Sequence, residues 1–244
     1  MIEDRLVDAL AELADTLLDD FDVIDFLHLL VERCTELLEA DAAGVLLTTQ
    51  HGPLQLVAAS EERTRLTELF QLQTEEGPSL EAFRSGVRVA EPDLHAARTR
   101  WPRFALASIG AGFDAVTAIP MRQRGETIGA LNIFRRNRGD FGERYLQTAQ
   151  ALADVATIGL FQQRPVRHYE FVTEQLQAAL QSRVVVEQAK GFVAERLAVD
   201  MATAFTALRG YASGRGLKLS VVAASVIEGE LGAQALLASP DDRG

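Results

Sequence analysis

Apolar positions along this chain follow two different spacings, and the second replaces the first for good near residue 170. Ile24, Leu27, Leu30, Val31, Cys34, Leu37 and Leu38 recur three or four apart, which lays them on one face of a helix over 23–39. The acidic, amphipathic stretch before it predicts an N-terminal helix within residues 1–22. "AAGVLLTT" and "LQLVAAS", split by "QHGP", read as two strands of a hairpin. A short helix is expected near 62–71. "GPSLEAFRSG" reads as one or two helical turns opened by Pro78 and closed by Gly86. "VRVA" is a brief strand and "RWPRFALASIGAG" another helix. "AVTAIPM", the turn "RQRGE" and "TIGALNIF" make a second hairpin, and residues 142–163 return to helix. The expected class is α+β, an antiparallel sheet with packed helices, followed by an all-α region of three helices.

From residue 171 onward the strand spacing is gone. Helices are expected over 171–197, 201–213 and 219–231, with Asp200 as N-cap of the second, Gly214 and Gly216 at its end, and Ser220 opening the third. Pro165, within "QQRPVRHYE", marks a linker over 164–172 between a first domain at 23–163 and a second at 173–234. A helix kinked at Pro165 but continuous through it is the alternative. Residues 235–244, ending in "SPDDRG", are expected to form a disordered tail.

Composition narrows the function classes. The acidic N-terminus is unlike a signal peptide, and no apolar run reaches membrane-spanning length, so a cytoplasmic protein with no membrane partner is expected. Cys34 is the single cysteine and falls on the apolar face of its helix. No two of His28, His51, His95 and His168 have metal-ligand spacing. No catalytic constellation is visible, and the expectation is a non-enzyme without cofactor or metal. The net charge of −11 argues against nucleic acid until its distribution is considered. Residues 1–170 carry 17 Lys/Arg against 27 Asp/Glu, whereas residues 171–232 carry six of each. A neutral C-terminal unit can present a basic face, because screening over roughly 8 Å makes local charge decisive.

Two stretches carry a resemblance. "GPSLEAFRSG … WPRFA … AGFDAVTAIPMRQRGETIGALNIF" makes the first region similar to the GAF domains that precede ANTAR domains in actinobacterial regulators. "LQSRVVVEQAKGFVAERLAVDMATAFTALRGYASGRGLKLSVVAASVI" resembles the ANTAR domain itself, with "SR…EQAKG", "AF…LR" and "KL…A" in order. The resemblance implies a transcription antiterminator whose homodimers bind paired hairpins in nascent messenger RNA, each with a six-nucleotide loop, under control of a GAF sensor. Two positions depart from the pattern. Gly216 stands where the family often has Asn, and "GPS" replaces "GPC", so that Ser79 takes the place of a thiol.

The residues of the C-terminal region fit such a role at named positions. Val185, Ala189, Phe192 and Val193 of its first helix cluster on one face and predict the bundle core. Arg183, Glu187 and Lys190 share a different face, either as a solvated salt-bridge ladder or as a cationic strip aligned for phosphates. Gly191 follows one of only two lysines in the chain. It suits close helix packing or close approach of an RNA loop. Gln188, inside "EQAKG", joins the candidate RNA contacts through the resemblance. On the second helix, Ala204, Phe205, Leu208 and Ala212 form the apolar face, and Arg209 sits at its margin, able to stack on a base or hold a phosphate. Tyr211 is a core or a stacking residue, and Arg215 and Lys218 are candidate phosphate contacts. In the first region, Asp93, Trp101 and Arg103 are candidates to line a pocket for an unknown small-molecule ligand. The competing reading is a DNA-binding transcription factor with a GAF dimerisation domain, since three short helices can hold a helix-turn-helix. Against it, "LSVVAASVIEGELG" bears no cation.

Overall fold

The two hairpins join with a short edge strand in one antiparallel sheet, in the order β2-β1-β5-β4-β3. The strands are β1 (Ala42–Thr48), β2 (Leu54–Ala59), β3 (Val89–Glu91), β4 (Ala115–Gln123) and β5 (Glu126–Arg135). The computed structural model describes residues 2–16, 22–48, 52–123, 125–161 and 170–237. The chain forms two units, Met1–Asp19 with Leu27–Leu176, and Asp20–Phe26 with Gln177–Gly244.

In the first unit every residue of β1 is buried, as are most of β4 and β5. Such a strand is covered on both faces and reads as a continuous apolar run. The helices of this unit are α1 (Ile2–Thr16), α2 (Val23–Leu37, from Leu27 on), α3 (Glu62–Thr74), α4 (Pro78–Ser85), α5 (Pro102–Gly110) and α6 (Glu143–Phe161). α3 packs on β1 and β2, α4 on β3, β4 and β5, and α6 on β4. Gly129 of β5 lies so close to β1 that a Cβ there would come within 2.1 Å of the Leu46 carbonyl oxygen. Glycine is required at that position by the approach of the two backbones. α4 starts with Pro78 and ends at Gly86 in the left-handed conformation, its amide bonding the Ala82 carbonyl, as the punctuation predicts. Trp101, the N-cap of α5, offers no side-chain bond. Instead the Glu76 carboxylate accepts from the Arg103 amide at 2.9 Å and caps that helix from the α3–α4 turn.

The second unit contains α7 (Glu170–Leu197), α8 (Met201–Ser213), α9 (Leu219–Ile227) and a 3-10 turn at Ala233–Leu237. Asp200 caps α8 as expected, accepting from the Thr203 amide at 2.7 Å. That bond holds its carboxyl below the usual pKa. The buried face of α7 is Val186, Ala189 and Val193, joined by Ala204, Leu208, Ala212, Leu219, Val222, Ala223 and Val226. Three details correct the sequence reading. Val186 rather than Val185 faces the core, because positions 186, 189 and 193 keep the i, i+3, i+7 stripe, and Phe192 is only half-buried. α9 stops at Ile227 instead of 231, with Gly229 at φ +79 taking the chain into a left-handed turn. Burial of Leu236 draws Ala235–Leu237, expected as tail, into the last 3-10 turn. Residues 238–244, the side chains of Leu176 and Leu180, and residues 164–169 of the expected linker, Pro165 among them, lie outside the described residues; its last three residues, 170–172, belong to α7.

Candidate nucleic-acid interface and buried polar cluster

Helical spacing on α7 and α8 gathers part of the predicted cationic set. The Lys190 ammonium lies 2.9 Å from the Glu187 carboxylate, and its side chain is only 12% exposed. It also sits 5.4 Å from the centre of the Phe205 ring on α8. Arg209 follows Phe205 by one turn on the same side of α8. Its Nε is 2.9 Å from an Asp25 carboxylate oxygen. Lys190 thus lies against a half-buried ring whose residue is one helical turn from Arg209. Arg215 forms a second group, stacked 3.8 Å above the Tyr211 ring. Lys218 is half-buried at the N-cap position of α9, after Gly216 at φ +61. Arg183 is half-exposed two turns before Lys190, and Gln188 is exposed.

Gly191 is exposed, and a Cβ there would meet no atom of the described residues within 4 Å. Close helix packing therefore does not explain it. A helical glycine costs about 1 kcal/mol against alanine, and no contact among the described residues offsets that cost.

Sequence reasoning had no signal for a contact at the start of α2. One Asp22 carboxylate oxygen accepts from the Ser220 amide at 2.8 Å and from its hydroxyl at 2.6 Å. The other accepts from the Ile24 amide at 2.9 Å and so caps α2. Together, Asp22 and Asp25 hold the beginning of α9 and Arg209 of α8.

In the first unit a fully buried polar cluster joins α3, α4 and β5. Glu68 accepts from Gln71 Nε2 at 2.6 Å and from the Asn132 amide. Gln71 Nε2 also donates to Ser79 Oγ at 2.9 Å, and Gln71 Oε1 accepts from the Ser79 backbone amide at 3.0 Å. Asn132 contacts Ser79 as well. Gly77, at φ +130, has the Gln71 amide where a Cβ would go. The "GPS" turn thus needs glycine twice, for its conformation and for room. Burial pushes the Glu68 carboxyl up to about 8, against the opposing pull of the Asn132 and Gln71 hydrogen bonds. The direction of that shift favours its protonated form near neutral pH.

The three residues expected to line a ligand pocket occupy separate environments. Trp101 is buried in the core, edge-on to Phe104 with centroids 6.1 Å apart, and Arg100 covers its ring at 4.4 Å. It borders a surface cleft of about 400 Å³ with Gly77, Leu80, Glu81 and Arg84. Asp93 accepts from the His95 amide at 2.9 Å and pairs with Arg138 at 3.2 Å. The Arg103 side chain is mostly exposed, 3.9 Å from Glu76. Among the described residues no group of three or more His, Cys, Asp or Glu is placed to hold a metal ion, and no helix is long and apolar enough to cross a membrane.

Comparison with known proteins places both regions. The GAF domain family matches residues 22–160 and the ANTAR domain family residues 174–227. The GAF domain of A. aeolicus nlh2 in an inactive state is similar over 65% of this chain and 97% of its own, at 15% identity and a TM-score of 0.50. GAF domains of the phosphoenolpyruvate-protein phosphotransferases of Acinetobacter and Coxiella burnetii both reach a TM-score of 0.49. The first has 14% identity over 63% of this chain and 90% of its own, the second 20% over 64% and 92%. No curated protein matches the chain. At 15% identity the A. aeolicus structure establishes the fold of the sheet region alone. GAF is a sensor domain and ANTAR an RNA-binding antitermination module. With the GAF match covering more than half of its residues and the ANTAR match lying within its helical region, the chain belongs to the GAF family and carries a C-terminal ANTAR domain.

Proposed function

We propose that this protein is a transcription antitermination regulator whose ANTAR domains, as a homodimer, bind paired hairpin loops in nascent mRNA under control of the GAF domain. The observation that carries the reading is the grouping of Lys190, Phe205 and Arg209 on adjoining faces of α7 and α8. A compact ammonium suits a phosphate, and a planar guanidinium suits a phosphate fork or a splayed base. Glu187, on the same helix, holds the Lys190 ammonium in place. The described surface has no strand platform for stacking bases, so loop shape and backbone dominate recognition. The GAF domain acts as a non-catalytic receiver of a small-molecule signal.

Fluorescence anisotropy against a hairpin RNA and a duplex DNA of equal length, at several salt concentrations, tests this reading. Preference for the hairpin with a salt slope of several units is the expected result. Preference for the duplex would favour the competing DNA-binding reading. α9 gives that reading little support, since Leu219–Ile227 contains no charged residue.

A further inference from the structure

We infer that the first turn of α2 is a competitive cover for the RNA face, in which the carboxylates of Asp22 and Asp25 take positions that RNA phosphates need. The inference rests on the RNA-binding reading and names the regulation of the same site. Its basis is a pair of contacts made by residues three apart on one helical turn. Asp25 lies 2.9 Å from Arg209 Nε. Asp22 accepts from both the backbone amide and the hydroxyl of Ser220. An amide at a helix start, a serine hydroxyl and a guanidinium are the donors that phosphate oxygens take from proteins. A carboxylate is the side chain that matches those donors in charge and acceptor geometry.

The sequence separation adds weight. Ser220 lies 198 positions from Asp22, so the contact is not a by-product of local chain geometry. α9 has no cap of its own, since Lys218 supplies no side-chain bond to it, and the distant Asp22 fills that role. Asp22 simultaneously caps α2 through the Ile24 amide. One carboxylate thus ties the order of the α2 turn to occupation of the α9 start. While the turn is docked, Arg209 is engaged by Asp25 and the α9 start by Asp22. RNA that uses Arg209 must displace the turn, and an intramolecular competitor acts at high effective concentration. Linkage makes the effect reciprocal: whatever stabilises the docked turn weakens RNA binding, and bound RNA releases the turn.

The test is the full chain with Asp22→Asn and Asp25→Asn together, measured against a hairpin RNA by anisotropy. Asn keeps an N-cap acceptor at position 22 while removing its charge. The double variant should bind at least about fivefold tighter than wild type, the low end of allosteric couplings. Glu228→Gln with Glu230→Gln removes the same charge from exposed positions of the same unit and should change affinity less than about twofold. Asp25→Asn alone, which leaves the α2 cap intact, should give a smaller gain in the same direction. Hydrogen exchange of the segment 22–26 should speed up when RNA is added. If every variant binds the hairpin but the aspartate variants gain no more than the glutamate control, or if exchange over 22–26 is unchanged by RNA, the cover is overturned. If no variant prefers hairpin RNA to duplex DNA, the RNA-binding reading itself fails, and the cover with it.

Discussion

Lys190 is held between Glu187, 2.9 Å from its ammonium, and the face of Phe205, whose centre is 5.4 Å away. The acid and the ring fix the position of a side chain that otherwise has several rotatable bonds. A cation fixed in advance loses less entropy on meeting a phosphate. Lys190→Ala should weaken hairpin RNA binding about tenfold, or about 1.4 kcal/mol, and lower the salt slope by about one unit. Circular dichroism should stay unchanged, since the side chain contributes one ion pair and one ring contact. Unaltered RNA affinity would remove Lys190 from the interface.

Gly191, next to it, allows a test with two readouts of opposite sign. Open space surrounds its missing Cβ among the described residues, so alanine fits without rearrangement. Gly191→Ala should raise the unfolding free energy by about 0.5–1 kcal/mol through helix propensity. If an RNA loop approaches the backbone there, the same substitution should lower RNA affinity severalfold. Denaturant titration and anisotropy on one sample give both numbers. A more stable variant with wild-type affinity would leave the glycine without a role in RNA binding.

The sheet region was legible where burial follows hydrophobic spacing and opaque where it does not. The hairpins "AAGVLLTT"/"LQLVAAS" and "AVTAIPM"/"TIGALNIF" are short apolar runs parted by turn residues, and the structure pairs them as β1–β2 and β4–β5. α3 inverts the rule: its buried residues are Thr64, Thr67, Glu68 and Gln71, whereas Leu66 and Phe70 are exposed. No apolar pattern can mark such a face, so the Glu68 cluster was invisible until the fold brought Asn132 to it. Asn132 itself was masked by the apolar run around it in "ALNIF". The cationic candidates of α7 and α8 were recognisable from their motifs. Their acidic partners Asp22 and Asp25 were not, because a contact spanning nearly the whole chain leaves no local trace.

Glu68 makes stability depend on pH in a direction opposite to the common carboxylate case. Its folded pKa of about 8 lies above the ordinary value of 4.5, so the native state keeps a proton that the unfolded chain releases. Its contribution is fully present below about pH 4.5 and is lost as pH rises through 8. Glu68→Gln keeps the shape and an amide donor but cannot ionise. Relative to the variant, wild type should lose a few kcal/mol of stability between about pH 5 and pH 9. Denaturant unfolding of both proteins at the two pH values measures the difference and cancels the titration of all other groups. A difference that does not change with pH would mean that Glu68 is charged in the folded protein, or is reached by water.

Val184 gives access to the assembly state. It is 57% exposed on α7, one position from the core residue Val185 was expected to be and two from Val186, which is. An apolar residue exposed singly is unremarkable in itself. Here it follows Leu176 and Leu180 at intervals of four along the sequence of one helix, a spacing that lays apolar residues in a row. Paired hairpins require two ANTAR domains, and joining two modest affinities in one dimer multiplies them when the spacing of the hairpins fits. Wild type should therefore bind a two-hairpin RNA at least about tenfold more tightly than a one-hairpin RNA. Val184→Arg places a charge in the row without disturbing the buried face of α7. It should shift the protein to monomers by light scattering at micromolar concentration and bring the two affinities together. The one-hairpin affinity should stay as in wild type, because Lys190 and Arg209 are untouched. A variant that remains dimeric would place the dimer contact elsewhere. A monomeric variant that still prefers two hairpins would show that the pairing of hairpins does not depend on a protein dimer.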